Sequence, residues 1–343
     1  MLLESLGVDA FVRRHFEPFA AQGLTLARVA VSHRHAYQVW TAAGAVAAEP
    51  SGRLAGCPED LPVTGDWVAV RMVDPSFAIL EAVLPRRTLF ARRAAGREWR
   101  RQPVAANIDT AFLVCGLDGD FNLRRLERYL TLAAESGADP VVVCNKADLH
   151  ADPTPYLTAA AGVAPGVAVV AASGVAPGGL EELRPFLTPG RTVALLGSSG
   201  TGKSTLVNAL AGTALRTAAV RAADSRGRHT TTHRELIALE SGALLVDTPG
   251  MRELQLWAGP EALEAAFPEI ASLGERCRFR DCTHGGEPGC AVVAGVEEAR
   301  LASYRKLLRE AQAHEERGDG TARKRARTMH KAMKRYYAET GSS

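Results

Sequence analysis

The chain has 343 residues, 46% hydrophobic and 23% charged, the balance of a soluble globular protein long enough for two or three domains. Apolar runs such as Ala138 to Cys144 and Val167 to Ala172 fall far short of the roughly 20 residues that cross a bilayer. The N-terminal MLLESLGVDAF has no basic stretch followed by an apolar run and a small-residue cleavage site, so the expectation is a cytoplasmic protein with no membrane partner. The net charge of +3 is modest but unevenly spread. Arg86 to Arg101 holds seven arginines against the single acid Glu98, and Arg323 to Arg335 holds seven Lys or Arg and no acid. Two such segments predict a polyanionic partner, RNA, rather than merely solvated surface.

Residues 1–88 read as an N-terminal segment followed by short strands. Thr25 to Val31, Ala36 to Thr41, Asp66 to Val73 and Phe77 to Leu84 are β-rich and separated by Gly, Pro and Asp turns, with no helix-period segment between them. A small β-barrel is expected; an OB-fold is one such barrel that binds nucleic acid. Residues 89–258 alternate strand and helix. Ile108 to Val114 is a buried-strand run, and Leu123 to Ala134 carries Leu123, Leu126, Leu130 and Ala134 on one helical face. Pro140 to Cys144, Val167 to Ala172, Thr192 to Leu196 and Ala243 to Val246 continue the strands. This predicts a parallel α/β sheet with ligand loops at the carboxyl ends of its strands. Residues 259–343 read as a helical module, with a helix over Val296 to Arg317 and a basic tail.

Three motifs for one ligand then appear in rotated order. Asn145-Lys146-Ala147-Asp148 is the N-K-x-D that reads guanine: the Asp148 carboxylate accepts two hydrogen bonds from the ring edge, each worth roughly 1.5–3 kcal/mol. Ser173-Gly174 follows the next strand and resembles the S-A loop that supports the base, with Gly in place of Ala. Gly197-Ser198-Ser199-Gly200-Thr201-Gly202-Lys203-Ser204, followed by Thr205, is a phosphate loop between a strand and a helix. Its amides cradle the phosphates, Lys203 supplies positive charge, and the Ser204 hydroxyl suits magnesium. Asp247-Thr248-Pro249-Gly250 comes last; Asp247 suits magnesium through water, and the Gly250 amide senses the γ-phosphate. GTPases ordinarily run phosphate loop, D-x-x-G, N-K-x-D, so the order here indicates a circularly permuted P-loop GTPase.

Arg226-Gly227-Arg228-His229-Thr230-Thr231-Thr232-His233 lies between the last two motifs, where one of three threonines would complete the magnesium site. Thr231 stands among the nucleotide-binding positions; the spacing does not choose between it and its neighbours. Many GTPases follow D-x-x-G with a glutamine that orients the attacking water, but this chain has Met251. His229 is the candidate catalytic residue in its place, against the alternative that it only packs or binds RNA.

Among six cysteines, Cys277, Cys282 and Cys290 cluster with His284. Three thiolates and an imidazole form a complete tetrahedral zinc shell with no open position, which means structure rather than catalysis.

A β-barrel, NKAD, GSSGTGKST, DTPG and a Cys-Cys-His-Cys cluster in this order resemble the bacterial RsgA (YjeQ) family of circularly permuted GTPases that depend on the small ribosomal subunit. The turn Gly65-Asp66-Trp67-Val68 also resembles the family's barrel. The resemblance implies an OB-fold that contacts ribosomal RNA and GTP hydrolysis stimulated by the small subunit during late maturation. It also makes Gly227 to Thr232 the first switch, with a histidine acting in place of glutamine. A monomer is the simplest assembly. The rival reading is an RNA-binding module in which GTP is a slowly hydrolysed conformational ligand, and Met251 is the feature that favours it.

Overall fold

The computed structural model describes residues 3–33, 36–57, 60–93, 101–212, 234–247 and 259–313. The chain divides into two compact units, residues 1–91 with 103–254, and residues 92–102 with 255–343.

The first unit begins with a one-turn segment, Leu3–Leu6, and helix α1, Ala10–Ala20, neither of which the strand pattern suggested. Asp9 caps α1 by accepting from the Val12 amide at 3.0 Å. Val12 packs against Leu26, Trp67 and Leu84, with Phe16 and Phe19 beside them, so the helix covers an outer face of the barrel.

That barrel is made of β1 (Thr25–Ser32), β2 (Tyr37–Thr41), β3 (Gly44–Pro50), β4 (Trp67–Asp74) and β5 (Phe77–Val83). The pairings β1–β2, β2–β3, β3–β5, β5–β4 and β4–β1 close it. The β3–β5 pair is parallel and the rest antiparallel, the connectivity of a five-stranded Greek-key barrel of the OB type. Side chains alternate as the pleat requires: Tyr37, Val39, Val46 and Ala48 point inward with Val29, Val68 and Leu80. Strand β3 escaped the sequence reading because alanines dilute its alternation. A four-residue helix, α2 (Gly52–Ala55), interrupts the strands where no helix was expected; Ser51 caps it through the Leu54 amide.

Strands β6 (Leu89–Arg93) and β7 (Arg101–Ala106) form a separate two-stranded ribbon. Three described arginines of the basic segment have internal partners, Arg92 donating to Gln102 Oε1 at 3.2 Å. Arg86 makes two hydrogen bonds of 2.7–2.8 Å to the fully buried Asp66, and Arg87 pairs with Asp9. Burial pushes the Asp66 carboxyl up from its ordinary value even with that partner.

The α/β part contains β8 (Thr110–Gly116), α3 (Leu123–Ser136), β9 (Asp139–Asn145), α4 (Thr154–Val163), β10 (Ala168–Ala172), β11 (Thr192–Leu196), α5 (Lys203–Ala211), β12 (Arg234–Ala238) and β13 (Leu244–Asp247). The spatial order is β10-β9-β8-β11-β13-β12, all parallel except β12 against β13. Strands β8 and β11 are buried throughout, as a sheet covered on both faces demands. Strand β12 then pairs antiparallel with β1, Val31 opposite Glu235 and Ser32 opposite Arg234, so barrel and α/β sheet form one run of eleven strands.

In the second unit, helices α6 (Pro260–Ala266), α7 (Pro268–Gly274), α8 (Ala291–Gly295) and α9 (298–313) surround Leu263, Phe267, Ile270, Val292 and Leu301, all essentially buried. Arg300 lies over the Phe267 ring, 4.5 Å from its centre, and pairs with Glu269 at 2.6 Å. Among the described residues no helix is long and apolar enough to cross a membrane.

Candidate nucleotide site and metal centre

The carboxyl ends of β8, β9, β10 and β11 carry the candidate site. The phosphate loop leaves β11 at Gly197 and enters α5 at Lys203. Gly200 and Gly202 have φ of 88° and 87°, a region costly for side chains. Gly202 has a second reason to be glycine: a Cβ there would lie 2.4 Å from Asn145 Nδ2. That amide donates to the Thr201 carbonyl at 2.8 Å, so the N-K-x-D loop and the phosphate loop, 56 residues apart in the chain, are interlocked. Asn145 is buried, and its Oδ1 has no hydrogen-bond partner. An unpaired buried acceptor is costly.

Lys146 takes a left-handed conformation, φ 65°, and its ammonium pairs with Asp118. Asp148 is exposed in the turn that follows. The parallel register places Ala172 opposite Asn145, which brings Ser173 beside the guanine loop. The Ser173 hydroxyl accepts from the Val175 and Ala176 amides at 3.3 and 3.0 Å and shapes that turn. Gly174 runs against α5: a methyl there would sit 3.0 Å from Thr205 Cγ2 and 3.1 Å from the Thr205 carbonyl carbon. A Cβ at this position would thus be tightly packed against α5.

Within the phosphate loop, Lys203 Nζ donates to the Ser198 carbonyl and lies 3.4 Å from Thr201 Oγ1. Ser199, Gly200, Ser204 and Thr205 are exposed. Asp247 closes β13 next to β11, its backbone opposite Glu235. His229, Thr231 and Gly250, with Met251 and the basic tail, lie outside the described residues.

Sequence reasoning missed a group on the loop after β8. Asp120 accepts from Ser198 Oγ and from Arg125 Nη1, at 2.7 and 2.6 Å, and Arg125 also reaches Ser198 Oγ at 2.7 Å. The Lys146 ammonium draws the Asp118 carboxyl below its ordinary value, and Arg125, then Ser198, do the same for Asp120. The loop Gly116-Leu117-Asp118-Gly119-Asp120 follows a buried parallel strand. That is where ligand loops belong, so its position was the available signal.

In the second unit, one donor atom each from Cys277, Cys282, His284 and Cys290 lies within 4.8 Å of all the others. A tetrahedral zinc with bonds of about 2.3 Å to sulfur and 2.05 Å to nitrogen needs sulfurs about 3.8 Å apart and sulfur–nitrogen pairs about 3.5 Å apart. Cys277 and Cys290 Sγ are 3.8 Å apart, and His284 Nδ1 is 3.6 and 3.5 Å from them. The donor set therefore fits the ion. Around it, Glu287 gathers the amides of Thr283, Gly285 and Gly286 at 2.7–3.1 Å and lies 3.7 Å from Cys282 Sγ. Hydrogen bonds, first from the Thr283 side chain, hold the Glu287 carboxyl down at about 2.

A glycine-rich phosphate loop locked to an N-K-x-D loop, on a sheet whose first strands in sequence are the last in an ordinary GTPase, defines a circularly permuted P-loop GTPase. The chain belongs to the RsgA GTPase family, which it matches over residues 83–257. It is 49% identical over 329 residues to the small ribosomal subunit biogenesis GTPase RsgA of Opitutus terrae, covering 90% of each. The crystal structure of YjeQ from Thermotoga maritima is similar with a TM-score of 0.66 and 25% identity, covering 84% of this chain and 99% of that one. The structure of YloQ, a circularly permuted GTPase, shares the fold with a TM-score of 0.63 at 23% identity, over 84% of this chain and 96% of that one.

Proposed function

We propose that this chain hydrolyses GTP as a maturation factor of the small ribosomal subunit, binding its rRNA and turning over when the subunit is engaged. The relatives' function supports the partner. The observation that carries the nucleotide reading is the Asn145–Thr201 bond, which ties the base-reading loop to the phosphate-reading loop. In this reading Asn145, Lys146, Ala147, Asp148, Ser173 and Gly174 hold the guanine. Residues 197–205, Thr231, Asp247 and Gly250 hold the phosphates, and His229 orients the attacking water where Met251 cannot. Magnesium bound by Ser204, with Asp247 through water, would neutralise charge developing on the phosphates. Zinc bound by Cys277, Cys282, His284 and Cys290 would be structural. The protein works in the cytoplasm as a monomer.

Hydrolysis draws on positioning and charge more than on covalent chemistry. Lys203 has three N–H donors, so it can meet the phosphates beyond its bond to the Ser198 carbonyl, while Asp120 and Arg125 hold the Ser198 hydroxyl. Single-turnover hydrolysis with and without purified small subunits, plus co-sedimentation in GTP and GDP, tests the proposal. Stimulation with GTP-dependent binding is expected. Binding without stimulation would leave the slow conformational-ligand reading instead.

A further inference from the structure

Arg28, on β1 of the barrel, is 2% exposed. Its guanidinium donates to four uncharged acceptors on four separate stretches of chain. These are Leu6 O in the N-terminal turn, Gly65 O before β4 (3.3 Å), Asn107 O between β7 and β8 (3.1 Å), and Thr192 Oγ1 at the first residue of β11 (2.7 Å). Asp66 and Asp109 act on it through space, and burial lowers it to about 10, so it stays charged at neutral pH. An apolar side chain in its place would strand these buried acceptors, so the position calls for a donor toward each of them. What the rigid fork of N–H groups supplies is geometry.

That geometry bears on the phosphate loop. Thr192 is gripped on its other side by Asp109, whose carboxylate accepts from the Thr192 amide at 2.7 Å. Beside it the backbones touch: a Cβ on Gly7 would lie 2.4 Å from the Gly190 carbonyl. Strand β11 runs from Thr192 directly into Gly197. Farther along β1, Val31 and Ser32 pair with β12, which in turn pairs with β13 ending at Asp247. The barrel is thus bonded to β11, which leads into the phosphate loop, and through β12 to β13, which ends at Asp247.

We propose that Arg28 couples the barrel to the GTPase site: through Thr192 it ties the barrel to β11, so that RNA engagement of the barrel is transmitted to the phosphate loop when hydrolysis is stimulated. This rests on the small-subunit-stimulated reading above. The test compares wild type, Thr192→Val, Arg28→Lys and the double variant for GDP affinity, basal single-turnover rate, melting temperature and stimulation by small subunits. GDP affinity and basal rate are expected to stay near wild type while stimulation falls about fivefold or more. The double variant should fall no further than either single one, as two ends of one contact should. Thr192→Val keeps a β-branched side chain in the strand and so remains informative if Arg28→Lys folds poorly. Two outcomes overturn the proposal: lowered melting temperature with an unchanged stimulation ratio, or basal and stimulated rates falling together. A wild type that small subunits do not stimulate overturns the functional reading itself.

Discussion

Replacing Gly202 by alanine tests the interlock at the centre of the nucleotide site. The residue sits at φ 87°, ψ 17°, where a Cβ costs about 1–2 kcal/mol. The new methyl would also stand 2.4 Å from Asn145 Nδ2, so that amide must withdraw from the Thr201 carbonyl. Leaving a buried acceptor unpaired costs a further 1–3 kcal/mol or so. The free protein escapes both terms by letting the loop relax, and nucleotide binding must then restore the geometry against them. The expected loss of GDP affinity is therefore about 2–5 kcal/mol, roughly thirtyfold to several thousandfold. Titration with a fluorescent GDP analogue measures it, and circular dichroism confirms that the fold persists. Asn145→Ala removes that hydrogen bond and the guanine contact together without left-handed strain, so it too should lose GDP affinity. A Gly202→Ala protein that binds GDP within threefold of wild type would refute the argument.

Asp148→Asn replaces an acceptor pair with a mixed group and should weaken GTP binding by about 2–4 kcal/mol while relaxing rejection of xanthine nucleotides, measured by competition. Removing Arg86 strands the buried Asp66 carboxylate, so Arg86→Ala should cost about 3–5 kcal/mol in urea unfolding. Asp118 and Asp120 titrate below their ordinary values in the folded chain, so their pairs add stability above the unfolded carboxylate pKa, about 4, and lose it as pH falls through the lowered folded values. Melting temperature should accordingly fall as pH drops below about 4, and less steeply in Asp120→Asn. Stripping zinc with a chelator, or Cys282→Ser, should open residues 259–313 to proteolysis, since such sites contribute roughly 10–16 kcal/mol of apparent folding energy. Elemental analysis showing no zinc in the purified protein would contradict the site.

Motifs whose chemistry is local were legible in the sequence. A phosphate loop needs glycines and a lysine between a strand and a helix, and a cluster that could hold a metal needs four donors close in the chain, so residue type and spacing located both. Their order alone revealed the permutation, and the apolar runs Ile108 to Val114 and Thr192 to Leu196 marked core strands correctly. Helix α1 was also written locally, in Asp9 and the spacing of Val12, Phe16 and Phe19, but the strands beside it drew the reading away.

What only the tertiary structure decided depends on residues distant in the chain. That Gly202 must make room for Asn145, that Ser198 is held by Asp120 and Arg125, and that Gly174 packs against Thr205 are facts about loops meeting at strand ends. The basic segment shows the same limit: charge pattern suggested an RNA surface, yet Arg86 turns inward to Asp66. Most of all, nothing in the composition of β1 announces that it continues the α/β sheet through β12, or that Arg28 reaches Thr192 across 164 positions. Sequence by itself determined which chemistries this protein carries, because each is encoded in a few neighbouring residues. The way those chemistries are joined was decided by backbone pairing and one buried guanidinium, whose partners only folding brings within reach.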